Sequence, residues 1–130
     1  MRILVADDHP VVRKGVCSLL ESRKDLEVCG EASNGEEAIQ KSLEKNPNLI
    51  ILDVTMPVLD GFSAARKIKA VLPRVPILML SINDGPEMAR SSRSVGAQGF
   101  ITKAAANEVL LKAVDVLLEG GTFFPNDTRA

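Results

Sequence analysis

The sequence predicts one α/β domain in which a parallel sheet lies between two layers of helices. Its 130 residues are enough for a single hydrophobic core. Apolar residues make up 45% of the chain and charged residues 25%, as in an ordinary globular domain. Five short apolar runs alternate with longer amphipathic stretches, and this alternation favours right-handed strand–helix–strand crossovers with helices on both faces of the sheet.

The five apolar runs are the predicted strands. The third, at residues 49–52, is continuously apolar, as expected where helices cover both faces of a parallel sheet. Charged residues flank the second run, which indicates a position nearer the edge of the sheet. In chain order the predicted strands cover residues 3–6, 26–32, 49–52, 77–80 and 100–102.

Local signals place the first two helices. Apolar residues recur on one helical face at residues 10–21, and Pro10 suits the first turn because its missing N–H would have no partner there. Asn34 followed three residues later by Glu37 is typical of a capping box. The helix that Asn34 begins is expected to end before Pro47.

The other three helices differ in how strongly the sequence supports them. Asp60 is expected to cap a third helix that ends near Leu72, and not to bind metal. The fourth helix, at residues 87–95, has a thin apolar face and three serines that lower its helix propensity. The last helix stops at Gly120 and has a strong apolar face, formed by Val109, Leu110, Ala113, Val114, Leu117 and Leu118.

Charge and hydropathy exclude several classes of function. The formal net charge of −1 and the pI of about 5.8 leave no basic field for nucleic acid, so the chain alone is not expected to bind DNA. No apolar run approaches the roughly 20 residues that span a bilayer, and no signal peptide is expected before the first strand. Cys17 and Cys29 lack metal-type spacing and are expected to be free thiols in the cytoplasm.

Charged and hydroxyl groups follow four of the five predicted strands. Asp7 and Asp8 follow the first strand, Asp53 the third, Ser81 the fourth and Lys103 the fifth. Ligands of open parallel sheets bind beyond the carboxyl ends of the strands. These side chains are therefore expected to meet in one crevice.

Carboxylates that cluster at this edge repel one another. Two unit charges at close range cost about 4 kcal/mol at an effective dielectric constant near 20. A hard divalent cation relieves the repulsion, and carboxylates with water and phosphate oxygens are typical ligands of Mg²⁺. No histidine or cysteine is expected in the cluster, which argues against zinc. Together with Lys103 and Ser81, this acidic site has the parts that phosphoryl transfer needs.

With these residues in place, the chain resembles a response-regulator receiver domain over essentially its whole length. The matching pieces are the pair Asp7–Asp8, the D-x-x-M-P-x-x-D-G run at 53–61, Ser81, and the run at 100–103. The resemblance implies a three-layer flavodoxin-like (βα)5 fold, whose five-stranded parallel sheet has the order 2-1-3-4-5.

The resemblance assigns the acidic residues to phosphorylation and metal binding. Asp53 is the implied phosphoacceptor. Asp8, Asp53 and the backbone carbonyl of Thr55 are the implied ligands of Mg²⁺ or Mn²⁺, and Asp7 is implied to hold a metal-bound water. His9 lies beside the acidic pair and is expected to be a polar loop residue without a chemical role.

The resemblance also implies how a phosphoryl group is recognised and how its presence is relayed. Lys103 and Ser81 are the implied contacts to the phosphoryl group. Ser81 and Phe100 form the implied conformational switch. Thr55 and Asn83 occupy the positions that tune dephosphorylation in the family.

The two ends of the chain, at residues 7–10 and 119–122, resemble the NarL/FixJ subgroup of LuxR-type regulators. Members usually carry a C-terminal helix-turn-helix domain. We therefore expect a receiver domain at residues 1–121, followed at 122–130 by a tail or the start of a linker to an output domain outside this chain. Ala104 departs from the proline that many receivers have after the lysine. The implied partners are a sensor histidine kinase and, after phosphorylation, a second copy of the chain.

The implied function is phosphorelay signalling, with a phosphohistidine as donor and transcription as the expected output. The chain is not expected to be an enzyme beyond its own phosphorylation and dephosphorylation. One alternative is a haloacid-dehalogenase-like phosphatase, but that family needs D-x-D, and here Thr55 stands two residues after Asp53. The other is a metal-free pseudo-receiver that only binds partners, and the intact set of Asp8, Asp53 and Lys103 argues against it.

Overall fold

The computed structural model of the chain describes residues 1–124. Its strands form one parallel sheet in the order β2-β1-β3-β4-β5, which confirms the expected order. The second predicted strand lies at an edge, as its flanking charges indicated. The strands are β1 (Arg2–Ala6), β2 (Glu27–Ala32), β3 (Leu49–Asp53), β4 (Ile77–Ser81) and β5 (Gly99–Thr102).

Helices cover both faces of this sheet, as the alternating pattern predicted. One apolar core contains buried residues of α1 and α5, and the other contains buried residues of α2, α3 and α4. A 3₁₀ turn at Lys103–Ala105, which was not predicted, separates β5 from the last helix. The helices are α1 (Pro10–Glu21), α2 (Gly35–Lys45), α3 (Gly61–Val71), α4 (Pro86–Ser94) and α5 (Ala106–Leu118).

Strand β3 is the centre of the sheet. It pairs with β1 on one side and β4 on the other, and all of its residues are buried. Leu49 and Ile51 face the core under α1 and α5, whereas Ile50 and Leu52 face the opposite core. The continuous apolar run is therefore explained by burial on both faces, since successive side chains of a strand point to opposite sides.

Side chains cap two of the helices as predicted. Asn34 begins α2, and its side chain accepts a hydrogen bond of 2.8 Å from the backbone N–H of Glu37. The Glu37 carboxylate bonds to the backbone N–H of Ser33, one residue earlier than a standard capping box requires. Asp60 caps α3 by accepting a hydrogen bond of 2.8 Å from the backbone N–H of Ser63.

The loop from β3 to α3 is held tightly against the end of its strand. The backbone N–H of Gly61 donates a hydrogen bond of 2.8 Å to the carbonyl oxygen of Val54. A Cβ atom at Gly61 would clash with the carbonyl oxygen of Asp53, so only glycine fits after the capping Asp60. This contact explains why an Asp-Gly pair follows β3 at this distance.

Truncation of the central strand should destabilise the whole domain. We predict that Ile51→Ala lowers the free energy of unfolding by about 2–5 kcal/mol, because it removes buried methyl groups and leaves a cavity. Urea unfolding followed by circular dichroism measures the change. Val71→Ala is the matched control, since Val71 is 55% exposed and its loss should cost less than about 0.5 kcal/mol. An Ile51→Ala loss below about 1 kcal/mol would contradict the central position of β3.

Candidate functional site

The sheet brings three carboxylates together at its carboxyl edge. Asp53 is the last residue of β3, and Asp7 and Asp8 follow the end of β1 directly. The two strands are parallel neighbours with Ala6 opposite Leu52, so the residue after each lies at the same level. The side chains of Asp7 and Asp53 are 0% and 2% exposed, and that of Asp8 is 29% exposed.

One lysine contacts both of the buried carboxylates. The Nζ of Lys103 lies 3.0 Å from Oδ2 of Asp7 and 3.1 Å from Oδ2 of Asp53. Its side chain is 10% exposed, and the 3₁₀ turn that it begins fixes its direction. The hydroxyl of Thr102 caps that turn by accepting a hydrogen bond of 3.3 Å from the backbone N–H of Ala105.

The hydrogen bonds of the cluster leave several carboxylate oxygens unused. Asp53 Oδ1 accepts a hydrogen bond of 3.3 Å from the backbone N–H of Thr55, and Asp7 Oδ1 accepts one of 2.9 Å from the backbone N–H of His9. Within residues 1–124, Asp7 Oδ2, Asp8 Oδ1 and Asp53 Oδ2 are buried and receive no hydrogen bond, although Lys103 lies near two of them. Buried carboxylate oxygens are costly unless fully paired, and one ammonium shared between two of these three leaves them able to bind a further cation.

The expectation that no histidine accompanies this cluster is wrong. The Nδ1 atom of His9 lies 3.2 Å from Asp8 Oδ1, 3.3 Å from Asp7 Oδ1 and 3.9 Å from Asp53 Oδ2. His9 is the N-cap residue of α1, and its backbone bond to Asp7 turns the ring back over the acids. The sequence signal for this contact is the position of His9 between the acidic pair and the proline that begins α1.

The charges of the site perturb one another. Burial, with the negative charge of Asp7, raises the pKa of Asp53 from 3.8 to about 6, against the opposing effect of Lys103 and the Thr55 N–H. Burial alone would lower the pKa of Lys103, but its contacts with Asp7 and Asp53 outweigh this and raise the pKa above its ordinary value. One ammonium therefore does not fully compensate the two buried carboxylates.

The donor set suits a divalent cation. Asp7, Asp8, His9 and Asp53 each offer one ligand atom, and these atoms all lie within 4.8 Å of one another. Three of the four donors are carboxylate oxygens, which are the ligands that hard cations such as Mg²⁺ prefer. The buried oxygens without hydrogen bonds belong to these same carboxylates, so the residues present fit such an ion.

The predicted switch residues lie beside this cluster, on β4 and β5. Ser81 ends β4 and is 4% exposed, and its hydroxyl oxygen accepts a hydrogen bond of 2.9 Å from the backbone N–H of Asn83. Within residues 1–124, no hydrogen bond joins Ser81 to Asp53. Phe100 is 2% exposed and packs in the core that also holds Ala89, one of the two buried residues of α4.

Comparison with known proteins agrees with this geometry. The family model of the response regulator receiver domain matches residues 3–115. The chain is 40% identical over 124 residues to the oxygen regulatory protein NreC of Staphylococcus epidermidis, covering 95% of this chain and 57% of NreC. It is 33% identical over 130 residues to the transcriptional regulatory protein LnrK of Bacillus subtilis, covering 100% of this chain and 59% of LnrK. The chain thus spans under two thirds of the length of these relatives.

Solved structures show the same fold. A two-component response regulator of the LuxR family from Aurantimonas sp. superposes with a TM-score of 0.92 at 31% identity, covering 98% of this chain and 92% of that one. The receiver domain of NarL from Mycobacterium tuberculosis gives a TM-score of 0.86 at 32% identity, covering 92% of this chain and 96% of that one. Together with the family match, these similarities show that the chain belongs to the response regulator receiver domain family, in its NarL/LuxR-type branch.

Proposed function

We propose that this chain is a phosphorylation-dependent switch that takes a phosphoryl group onto Asp53 from the phosphohistidine of a sensor kinase. One observation carries the proposal. The Asp53 carboxylate is 2% exposed, keeps one oxygen free of hydrogen bonds, and has Lys103 at 3.1 Å and the acidic pair beside it. Response regulators as a family partner with sensor histidine kinases, which supplies the class of donor.

The proposed reaction is a direct transfer between the two proteins. An Asp53 oxygen forms the new P–O bond while the P–N bond to the donor histidine breaks, and the imidazole leaves. Only an ionised carboxylate is a good nucleophile. A pKa of about 6 keeps Asp53 mostly ionised at neutral pH despite its burial. Lys103, already 3.1 Å from Asp53, is placed to pair with the phosphoryl oxygens.

The proposed reaction needs a divalent cation, Mg²⁺ or Mn²⁺. Receiver domains bind Mg²⁺ at an acidic aspartate cluster, and this chain has such a cluster. We assign Asp8, Asp53 and the carbonyl of Thr55 as direct ligands, with Asp7 acting through a water. When bound, the ion neutralises carboxylate charge and attracts phosphoryl oxygens, so that an anionic donor can approach an anionic acceptor.

The proposed switch starts at Ser81. Its oxygen is engaged as an acceptor from Asn83, which leaves the hydroxyl proton to donate to a phosphoryl oxygen. A hydrogen bond to a charged group contributes about 1.5–3 kcal/mol. Movement of Ser81 toward Asp53 frees space for Phe100. Helix α4 responds readily, because Ala89 and Ser92 are its only buried residues and no side chain caps it.

Two exposed residues are proposed to set the lifetime of the phosphorylated state. Thr55 and Asn83 both lie on loops at the carboxyl edge and are exposed to solvent. In this proposal, the water that hydrolyses the acyl phosphate reaches Asp53 from solvent between the loops that carry Thr55 and Asn83. Their size and polarity therefore bear on dephosphorylation.

The proposed output is transcription, through a C-terminal helix-turn-helix domain that is not part of this chain. LnrK is a transcriptional regulatory protein, and this chain spans 59% of its length. A net charge of −1 gives the chain no overall positive charge to attract DNA. A phosphorylation-dependent homodimer is part of the proposal.

The proposed compartment is the cytoplasm. Both cysteines, Cys17 and Cys29, are free thiols, as proteins in a reducing compartment usually have. Among residues 1–124, no helix has the length and hydropathy of a membrane span.

Phosphorylation should require Asp53. We predict that acetyl phosphate or a phosphoramidate with Mg²⁺ adds one phosphoryl group to the wild type and none to Asp53→Asn, because the amide cannot form an acyl phosphate. Intact-mass spectrometry measures the adduct, which should be stable in acid and labile in base. Asp60→Asn is the matched control and should label normally, since Asp60 caps α3. Equal labelling of Asp53→Asn would contradict the assignment of Asp53 as the phosphoacceptor.

Metal binding should depend on Asp8. We predict that Asp8→Ala weakens Mg²⁺ binding by at least about tenfold in isothermal titration calorimetry, because a direct ligand is lost. Glu44→Ala, an exposed acid of α2, is the control and should bind Mg²⁺ like the wild type. EDTA should block labelling of the wild type. Undiminished labelling in EDTA, or unchanged affinity of Asp8→Ala, would show that the cluster is not a metal site.

The buried charge of Asp53 should make stability depend on pH when no metal is bound. The folded pKa of about 6 lies above the ordinary value of 3.8, so the folded state binds more protons in this range. The contribution of Asp53 to stability therefore falls as pH rises from 4 to 6. The raised pKa of Lys103 acts only at alkaline pH, where stability is lost as that pKa is passed.

We predict that in EDTA Asp53→Asn is more stable than the wild type at pH 7, by on the order of 1–3 kcal/mol, because its side chain carries no charge. The gain should shrink toward zero at pH 4. Urea unfolding of both proteins at several pH values measures the difference. A gain that is constant with pH, or a loss at pH 7, would contradict the stated charge balance.

A further inference from the structure

The chain returns to the sheet after its last helix. Leu118 ends α5, Gly120 turns the backbone with a φ of 94°, and Phe123 then forms a parallel bridge with Gly99 on the outer edge of β5. The N–H of Phe123 donates to the carbonyl of Gln98 at 3.0 Å. We call residues 121–124 the strap.

The strap is bonded to the residue at the centre of the proposed switch. The backbone N–H of Phe100 donates a hydrogen bond of 2.9 Å to the carbonyl oxygen of Phe123. The approach is close, since a Cβ atom at Gly99 would lie 3.1 Å from that same oxygen and 2.9 Å from Leu78 Cδ1. A side chain at position 99 would therefore push the strap from the edge.

The end of the strap is anchored between β5 and α4. Phe124 is 4% exposed and lies in the same apolar core as Phe100 and Ala89. The guanidinium carbon of Arg93, on α4, lies 4.1 Å from the centroid of the Phe124 ring, a cation–π contact. Both elements that hold the strap are thus the ones that the proposed switch displaces.

There is room for these elements to rearrange. A cavity of about 310 Å³ lies between β5, α4 and α5, and Phe100, Ala89 and Phe123 form part of its wall. Side chains around such a space can change rotamer without first unpacking the core. Because Phe124 packs in the core that holds Phe100 and Ala89 and against Arg93, a rearrangement of Phe100 and α4 changes the contacts of its ring.

We propose that the strap, through Phe123 and Phe124, senses the phosphorylation state of Asp53: it is docked on β5 and α4 in the unmodified domain and loosens when Asp53 is modified. The inference rests on the proposed function, because it uses the Ser81–Phe100 switch. It adds a route by which the switch reaches the residues that follow the strap. The strap is a positioning element and does not touch the reacting atoms.

The first test follows the two strap hydrogen bonds. Amide hydrogen exchange of Phe100 and Phe123 is measured by NMR in the 130-residue chain, with and without beryllofluoride and Mg²⁺. Both amides should exchange at least about tenfold faster with beryllofluoride. A change of this size is what one hydrogen bond from Ser81 to a charged group can produce in a two-state equilibrium. Ser81→Ala should show a smaller increase, and Asp53→Asn none.

The outcomes separate the strap from the switch. If residues 81–95 respond to beryllofluoride but the amides of Phe100 and Phe123 do not, the strap inference is wrong and the proposed function stands. Slower exchange of these two amides also overturns the inference, since it means tighter docking. If no residue responds and Asp53 accepts no phosphoryl group, the proposed function itself is wrong, and the strap inference falls with it.

The second test uses linkage. If modification loosens the strap, a strap that is already loose must favour modification by the same factor. Phe124→Ala should therefore bind beryllofluoride with Mg²⁺ more tightly than the wild type by about 3- to 10-fold, measured by ¹⁹F NMR titration. Ile39→Ala is the matched control, because Ile39 of α2 packs against the same core away from β5 and α4, and its affinity should not change.

A milder variant covers the case in which Phe124→Ala does not fold. Arg93→Gln removes the cation that lies over the ring of Phe124 and leaves the Phe124 side chain in the core. It should raise the beryllofluoride affinity in the same direction by a smaller factor. Unchanged or weaker affinity in a folded strap variant would overturn the inference.

Discussion

The carboxylates of Asp7 and Asp53 are held almost wholly out of water at the carboxyl edge of the sheet, and the ammonium of Lys103 contacts both. Burial, together with the negative charge of Asp7 that one ammonium does not fully balance, raises the pKa of Asp53 to about 6. Because a low-dielectric site amplifies every charge placed in it, the site favours a divalent cation and then an anion. The proposed switch and the predicted dependence of stability on pH both rest on this imbalance.

The sheet prevents the buried carboxylate of Asp53 from moving out to solvent. Asp53 ends a strand that is buried on both faces and paired on both sides, so its backbone cannot withdraw toward solvent. Gly61 packs against the Asp53 carbonyl and holds the following loop as firmly. On the other side of the site the structure is weaker, since α4 buries only Ala89 and Ser92. In the proposed switch, a new charge on Asp53 is relieved by motion of α4 and β5, where the structure resists least.

The strap is attached to the less rigid side of the domain, at β5 and α4. This chain spans 57–59% of the length of the relatives NreC and LnrK. The ring of Phe124 packs in the core beside α4 and against Arg93. Under the proposed switch, a segment attached to this edge is placed to receive conformational change, whereas one attached to β2 or α2 is not.

The sequence by itself determined the fold class, the caps at Asn34 and Asp60 and the acidic residues of the site, because these depend on local periodicity and on which residue follows each strand. The sheet order came from the family resemblance. Tertiary structure decided other features, among them two contacts of the site and the sheet edge. His9 turns over the acids, and Phe123 joins the edge of β5. Both depend on contacts between residues on different elements or on the direction of a side chain, which no local pattern encodes.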